Sequence, residues 1–130
     1  MPGRSFRSDQ DGRRHRRHSE KLGRMAEWIA AGLLMLLGYR ILAQRVRSPY
    51  GEIDLVAVRG RRLAFVEVKY RDTLEAAEIS ISDTQAARMA DAAEQWAWSH
   101  PAYRNHSFGL DAIYLAPWRW PRYRKDGLQP

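Results

Sequence analysis

Hydrophobic spacing changes several times along the chain, and each change marks an element. Residues 1–24 show no apolar period and read as a disordered basic arm carrying Arg13, Arg14, Arg16 and Arg17. Met25 to Leu37 is apolar and reads as a core helix ending near Gly38. Tyr39 to Val46 reads as a strand of imperfect alternation, followed by the turn signal Ser48-Pro49-Tyr50-Gly51. Glu52 to Val58 and Leu63 to Lys69 read as strands joined by a tight turn at Gly60-Arg61. Residues 71–80 read as a loop. Ser82-Asp83-Thr84-Gln85 opens an Ala-rich helix that runs to about Ser99, with Trp96, Trp98 or both in the core. Phe108 to Ala116 is the last strand, closed by Pro117. The order α-β-β-β-α-β predicts an α/β domain over residues 25–117: a mixed sheet, at least one hairpin and covering helices. Residues 118–130 follow as a basic aromatic tail.

A basic run before an apolar one imitates a secretory leader. Glu27 interrupts the apolar segment, no small-residue cleavage site follows, and Trp28–Leu37 falls short of the ~20 residues that a membrane span needs. The expectation is a cytoplasmic protein without a membrane segment. With 130 residues, 45% of them hydrophobic, the chain is one domain with a packed core. The absence of Cys excludes a disulfide scaffold, a thiolate zinc site, an iron–sulfur cluster and a Cys nucleophile. The four His lack metal-ligand spacing such as HExxH. Net charge is +7, but residues 1–24 hold +5 and residues 118–130 hold +3, leaving the centre at −1. Attraction to a polyanion therefore starts at the ends of the chain.

The hairpin carries the chemistry. If Gly60-Arg61 is a two-residue loop with Gly first, a type II′ turn, partner numbers across the strands sum to 121. Val58 then faces Leu63, Val56 faces Phe65 and Asp54 faces Glu67, with opposed Cβ atoms about 5 Å apart. Alternation puts Lys69 on the same face. Two carboxylates at that spacing repel by roughly 3 kcal/mol at an effective dielectric of 20. Lys69 offsets part of this; a divalent cation would reverse it, and otherwise one acid takes a raised pKa. A solvated acid pair with Lys69 as its partner is the plainer reading. The flanks, Ile53-Asp54-Leu55-Val56 and Phe65-Val66-Glu67-Val68, are apolar on both faces, as in a strand covered on both sides, and argue for a working site.

Gly51-Glu52-Ile53-Asp54-Leu55 and Phe65-Val66-Glu67-Val68-Lys69 resemble the two signature segments of the bacterial YraN-like family. Its members are regarded as endonucleases distantly similar to archaeal Holliday junction resolvases, within the PD-(D/E)xK nuclease superfamily. The resemblance covers about residues 22–116 and implies a restriction-endonuclease-like sheet. It implies Mg²⁺ (or Mn²⁺) held by Asp54, Glu67 and the Val68 carbonyl, with Lys69 orienting the attacking water and stabilising the charged transition state. Glu27 would be an outer acid delivered by the first helix, against a plainer role at the helix's first turn. Gln85 falls near a polar position of the superfamily but also matches the third position of a capping box. Asp111 falls where the family has an acid and could equally be structural. The chain departs from the family pattern at Arg45, where Asn is common, and at Gly109, where Arg is common; both bear on substrate positioning.

Trp118-Arg119-Trp120-Pro121-Arg122 interleaves aromatics with cations, a pattern able to stack on unpaired bases or simply to pack on the domain. The leading expectation is Mg²⁺-dependent hydrolysis of DNA, branched structures included. The alternatives are a nucleic-acid-binding module on a nuclease scaffold without turnover, and a protein-interaction domain with a basic arm.

Overall fold

A computed structural model describes residues 21–129. Arg13, Arg14, Arg16 and Arg17 lie outside the described residues. Helix α1 occupies residues 21–36 of that range, followed by β1 (Arg40–Arg47), β2 (Glu52–Arg59), β3 (Arg62–Tyr70), α2 (Leu74–Ile79), α3 (Asp83–Ser99), a 3₁₀ turn (Pro101–Tyr103), β4 (Ser107–Leu115) and β5 (Arg122–Arg124). The five strands form one mixed sheet in the order β1-β2-β3-β4-β5, antiparallel except for the β3–β4 pair. This is the expected α/β class, a mixed sheet flanked by helices.

The hairpin register follows the arithmetic of its turn. Gly60 has φ +58°, the left-handed first position of a II′ turn, and Arg59↔Arg62, Val58↔Leu63, Val56↔Phe65 and Leu55↔Val66 all pair. Leu55, Ala57, Ala64 and Val66 pack under α1 with Ala26, Ala30 and Leu34. Ile53, Val56, Leu63 and Phe65 pack under α3 with Met89, Ala93 and Trp96. The two central strands are thus buried on both faces, as their continuous apolar runs require. Of the two tryptophans on α3, Trp96 is buried and Trp98 exposed.

Three boundaries differ from the sequence expectation. Residues 21–24 are helical, not part of an arm, because Leu22 stands one turn before Ala26 and extends the inward stripe. Within the expected 71–80 loop, Thr73 caps α2 by accepting from Ala76 N at 3.0 Å, and Leu74 and Ala77 bury against Ala112 and Tyr114. The segment after Pro117 is not only a tail: Arg122–Arg124 adds the edge strand β5 to β4. The α1 terminus falls where expected, in a Schellman motif: Tyr39 N donates to Leu34 O (2.9 Å), Gly38 N donates to Met35 O (3.0 Å), and Gly38 has φ +92°.

Among the described residues, no helix is long and apolar enough to cross a membrane.

Candidate active site

The β2–β3 ladder stops at Leu55↔Val66. In an antiparallel pair closed by a two-residue turn, Arg59↔Arg62 and every second pair after it exchange backbone hydrogen bonds. Ile53↔Val68 would be next in that series, and it is missing. Val68 N donates instead to Asp54 Oδ2 at 2.7 Å. The strands part at the segment where the acids sit, and Asp54 takes the place of a ladder acceptor. A strand residue presents its N–H and C=O along the same edge, so the Val68 carbonyl points toward the same opening.

That opening is a cavity of about 370 Å³ between β2, β3 and the start of α3, lined by Asp54, Glu67, Val68, Lys69, Gln85 and Arg88 among others. Asp54, Glu67 and Lys69 are therefore brought together. Lys69 Nζ donates to Glu67 Oε1 at 3.2 Å, with both side chains 17% exposed. Burial, then repulsion from Glu67, pushes the Asp54 carboxyl up to about 7 from 3.8, against the pull of the Val68 N–H. Glu67 is also raised, chiefly by burial, while Lys69 draws it down. These are desolvated acids whose neighbours only partly compensate them.

Asp54 also borders a second cavity of about 330 Å³ on the α1 side, which it shares with Glu27, Arg24, Arg45 and Arg47. Glu27 lies close enough to raise Asp54 further. Its carboxylate is occupied: Arg45 Nε donates to Glu27 Oε2 at 2.7 Å. Arg45 stands opposite Asp54, between the pairs Gln44↔Leu55 and Val46↔Ile53, and has φ +51°. That left-handed conformation is uncommon for a residue other than Gly or Asn, and with the register shift between Ile41 and Ala43 it accounts for the imperfect alternation of β1. Gln85 does both things open to it. It completes the capping box, accepting from Ser82 N (3.2 Å) while its own N donates to Ser82 Oγ (3.1 Å), and it lines the cavity with the acids.

One site residue escaped the reading of the sequence, and a second was read there only as part of a turn and a signature segment. Arg88 reaches the cavity wall and donates to Tyr50 O at 3.3 Å; its i+3 spacing from Gln85 on α3 was the available signal. Gly51 lets β2 start against α3, since a Cβ there would come within 2.8 Å of the Arg88 carbonyl oxygen.

Asp111 lies in neither cavity. It is fully buried, bridged by Arg62 through Nη1 and Nη2 at 2.8 and 2.7 Å, and accepts from the Tyr123 hydroxyl and from Asp126 N. Its role is structural. Gly109 belongs to the same network: a Cβ there would meet the Arg62 guanidinium at 2.0 Å, so the cation beside Asp111 comes from β3 and requires the bare glycine on β4. Trp118 and Trp120 are fully or almost fully exposed and do not pack on the domain. Trp118 and Arg119 line a separate cavity of about 640 Å³ with Thr73, Leu74 and Arg122. Because β3 and β4 run parallel, with Lys69 beside Tyr114, this turn lies at the same end of the sheet as the acids.

Among the described residues, no group of three or more His, Asp or Glu side chains forms a ready metal cage. The expected ligand set needs two carboxylates and one carbonyl, and it fits a hard cation in kind: all its donors are oxygens, and both acids are short of positive partners.

The match to the model of the uncharacterised protein family UPF0102 spans residues 26–115, most of the chain. A UPF0102 protein of Nitrobacter winogradskyi is 48% identical over 101 residues, 78% of this chain and 86% of its own length. One from Methylorubrum extorquens is 45% identical over 114 residues (88% and 89%), and one from Methylorubrum populi 46% over 124 residues (95% and 99%). The chain belongs to the UPF0102 family, the YraN-like group that its two signature segments resemble.

Proposed function

We propose that the chain is a divalent-metal-dependent endonuclease acting on DNA, distantly akin to the archaeal Holliday junction resolvases. One observation carries this reading: Asp54, Glu67 and Lys69 line one cavity where the hairpin opens, and burial and mutual repulsion push the Asp54 carboxyl up to about 7. Buried acids left in deficit of positive charge are costly to a fold, and such deficits cluster at working sites. Asp54, Glu67 and the Val68 carbonyl would hold Mg²⁺ or Mn²⁺. When bound, the ion neutralises the acids and supplies Lewis-acid stabilisation to a phosphoryl group. Lys69, tethered by Glu67, places an ammonium beside the reacting phosphate, where it orients the attacking water and offsets charge building on the phosphoryl oxygens. Arg88 and Gln85 form the opposite wall and can hold the DNA backbone. The exposed Trp118 and Trp120, with Arg119, offer stacking surfaces at the same end of the sheet.

Cleavage of nicked or branched DNA with Mg²⁺ or Mn²⁺ should vanish in Asp54→Ala. Mn²⁺ should raise the melting temperature of the wild type, and Glu67→Ala should abolish that rise. Cleavage persisting in Asp54→Ala, or no response to the metal, would remove the proposal.

A second reading rests on the Arg45–Glu27 pair. The clamp withdraws a third acid from the cleft, which suits a DNA-binding module built on the same scaffold without turnover. It would show as salt-sensitive DNA retention that survives Asp54→Ala and fails on removal of residues 1–20.

A further inference from the structure

Helix α1 has two apolar faces, and among the described residues only one is covered. Ala26, Ala30 and Leu34 pack on the sheet. On the outward side Met25, Trp28, Ile29, Met35 and Leu36 are 59, 67, 49, 55 and 88% exposed. At 100° per residue these five positions fall within an arc of about 120°, with Gly32 at its middle. Among the described residues, nothing outside the helix's own backbone lies within 4 Å of a Cβ built at Gly32. The fold therefore has no use for a glycine there, and in a helix interior it costs about 1 kcal/mol relative to Ala.

We infer that this face is the interface of a homodimer, in which two copies of α1 cross antiparallel at Gly32. Three features select a second copy. The first is symmetry: positions 29 and 35, and positions 28 and 36, lie equally far on either side of 32, so a two-fold axis through Gly32 sets Ile29 against Met35 and Trp28 against Leu36 of the other chain. The absent side chain at the axis lets the two backbones approach. The second is charge. The chain carries +7, and two copies repel, yet residues 25–39 contain no Lys or Arg, and their acid, Glu27, is paired with Arg45 of its own chain. The third is area. The five side chains leave on the order of 600 Å² uncovered, close to the ~800 Å² per partner of a standard interface. Residues 1–20 are a poor substitute as cover, since Phe6 is their one large apolar side chain besides Met1.

Arg24 and Glu27, which line the α1-side cavity, lie on the same helix. The dimer would thus carry two copies of the cleft beside one two-fold interface, the arrangement needed to address both strands of a duplex. The interface itself does not depend on the chemistry of the cleft.

Sedimentation of the full chain, in high salt and after nuclease treatment, should give about 30 kDa, twice the 15.1 kDa of one chain. Trp28→Glu should return it to 15.1 kDa with an unchanged circular dichroism spectrum. Gly32→Leu provides an independent check: it suits the helix of a lone chain but should raise the dimer dissociation constant at least tenfold. A wild type that stays monomeric at 100 μM overturns the inference. So does a dimer unmoved by both substitutions, or a monomer that floats with phosphatidylglycerol vesicles through this face.

Discussion

Two aspartates of the same sheet, Asp111 fully buried and Asp54 half-buried, are treated in opposite ways. Asp111 meets four donors: both ends of the Arg62 fork, the Tyr123 hydroxyl and the Asp126 backbone N–H. Asp54 receives one backbone N–H, from Val68, and faces Glu67 and Glu27. One carboxylate is saturated and holds the C-terminal segment to the sheet. The other is under-compensated and opens on a cavity. Burial of an acid is therefore not the mark of a working site; the mark is burial that the protein leaves unanswered.

The comparison breaks most visibly at Asp111. Asp111→Ala would leave the Arg62 guanidinium, whose side chain is 13% exposed, without its principal partner. Breaking one side of a buried pair costs about 3–5 kcal/mol. The denaturation midpoint should fall accordingly, and β5 should lose amide protection first, since Tyr123 and Asp126 anchor it through the lost carboxylate. A loss smaller than that of Asp54→Ala would reverse the two assignments.

Asp54→Asn should act in the other direction. The folded state holds the proton up to about pH 7, whereas the unfolded chain releases it near 3.8. Between those values the native state binds more protons than the unfolded state, so stability falls as pH rises through the window. Asn keeps an acceptor for Val68 N and carries no charge. The variant should match the wild type below pH 3.8 and exceed it by about 4 kcal/mol at pH 8 in the absence of metal. Urea midpoints across that range check the slope. Gains of this kind at the expense of activity are what a strained site yields.

How much of this could be read in the sequence depended on distance along the chain. That Asp54, Glu67 and Lys69 share one cavity followed from one local fact, a Gly-first two-residue turn that sets the register up to Leu55↔Val66, although the expected Asp54↔Glu67 pair lies beyond the observed ladder. The turn could not reveal that the ladder ends at Leu55↔Val66 and hands Val68 N to a side chain. Short elements were lost for lack of pattern: α2 has six residues and β5 three, too few for a period to register. The Asp111 network was illegible for another reason. Arg62 is 49 positions away, and its cue is an empty space at Gly109, which only the fold reveals as occupied by a guanidinium. Arg45 was noticed only as a departure; its conformation and its grip on Glu27 are properties of a strand paired around it.

Arg45 provides the smallest and sharpest test, because two effects oppose there. A non-Gly residue held at φ +51° inside a strand carries strain of about 1 kcal/mol or more. The ion pair with Glu27 repays part of this, but Arg45 is 42% exposed and such pairs are worth about 0.2–1 kcal/mol. Asn tolerates the left-handed region. Arg45→Asn should therefore leave stability within about 1 kcal/mol of the wild type, because relief of strain and loss of the pair nearly cancel. It should also free the Glu27 carboxylate beside Asp54. If Glu27 serves the same cleft as Asp54 and Glu67, the freed acid should tighten Mn²⁺ binding, measured by calorimetry, and Glu27→Gln added to Arg45→Asn should cancel the gain. If the clamp is only a surface contact, Mn²⁺ affinity will not move in either variant, and Glu27 will stand with Asp111 on the structural side of the comparison.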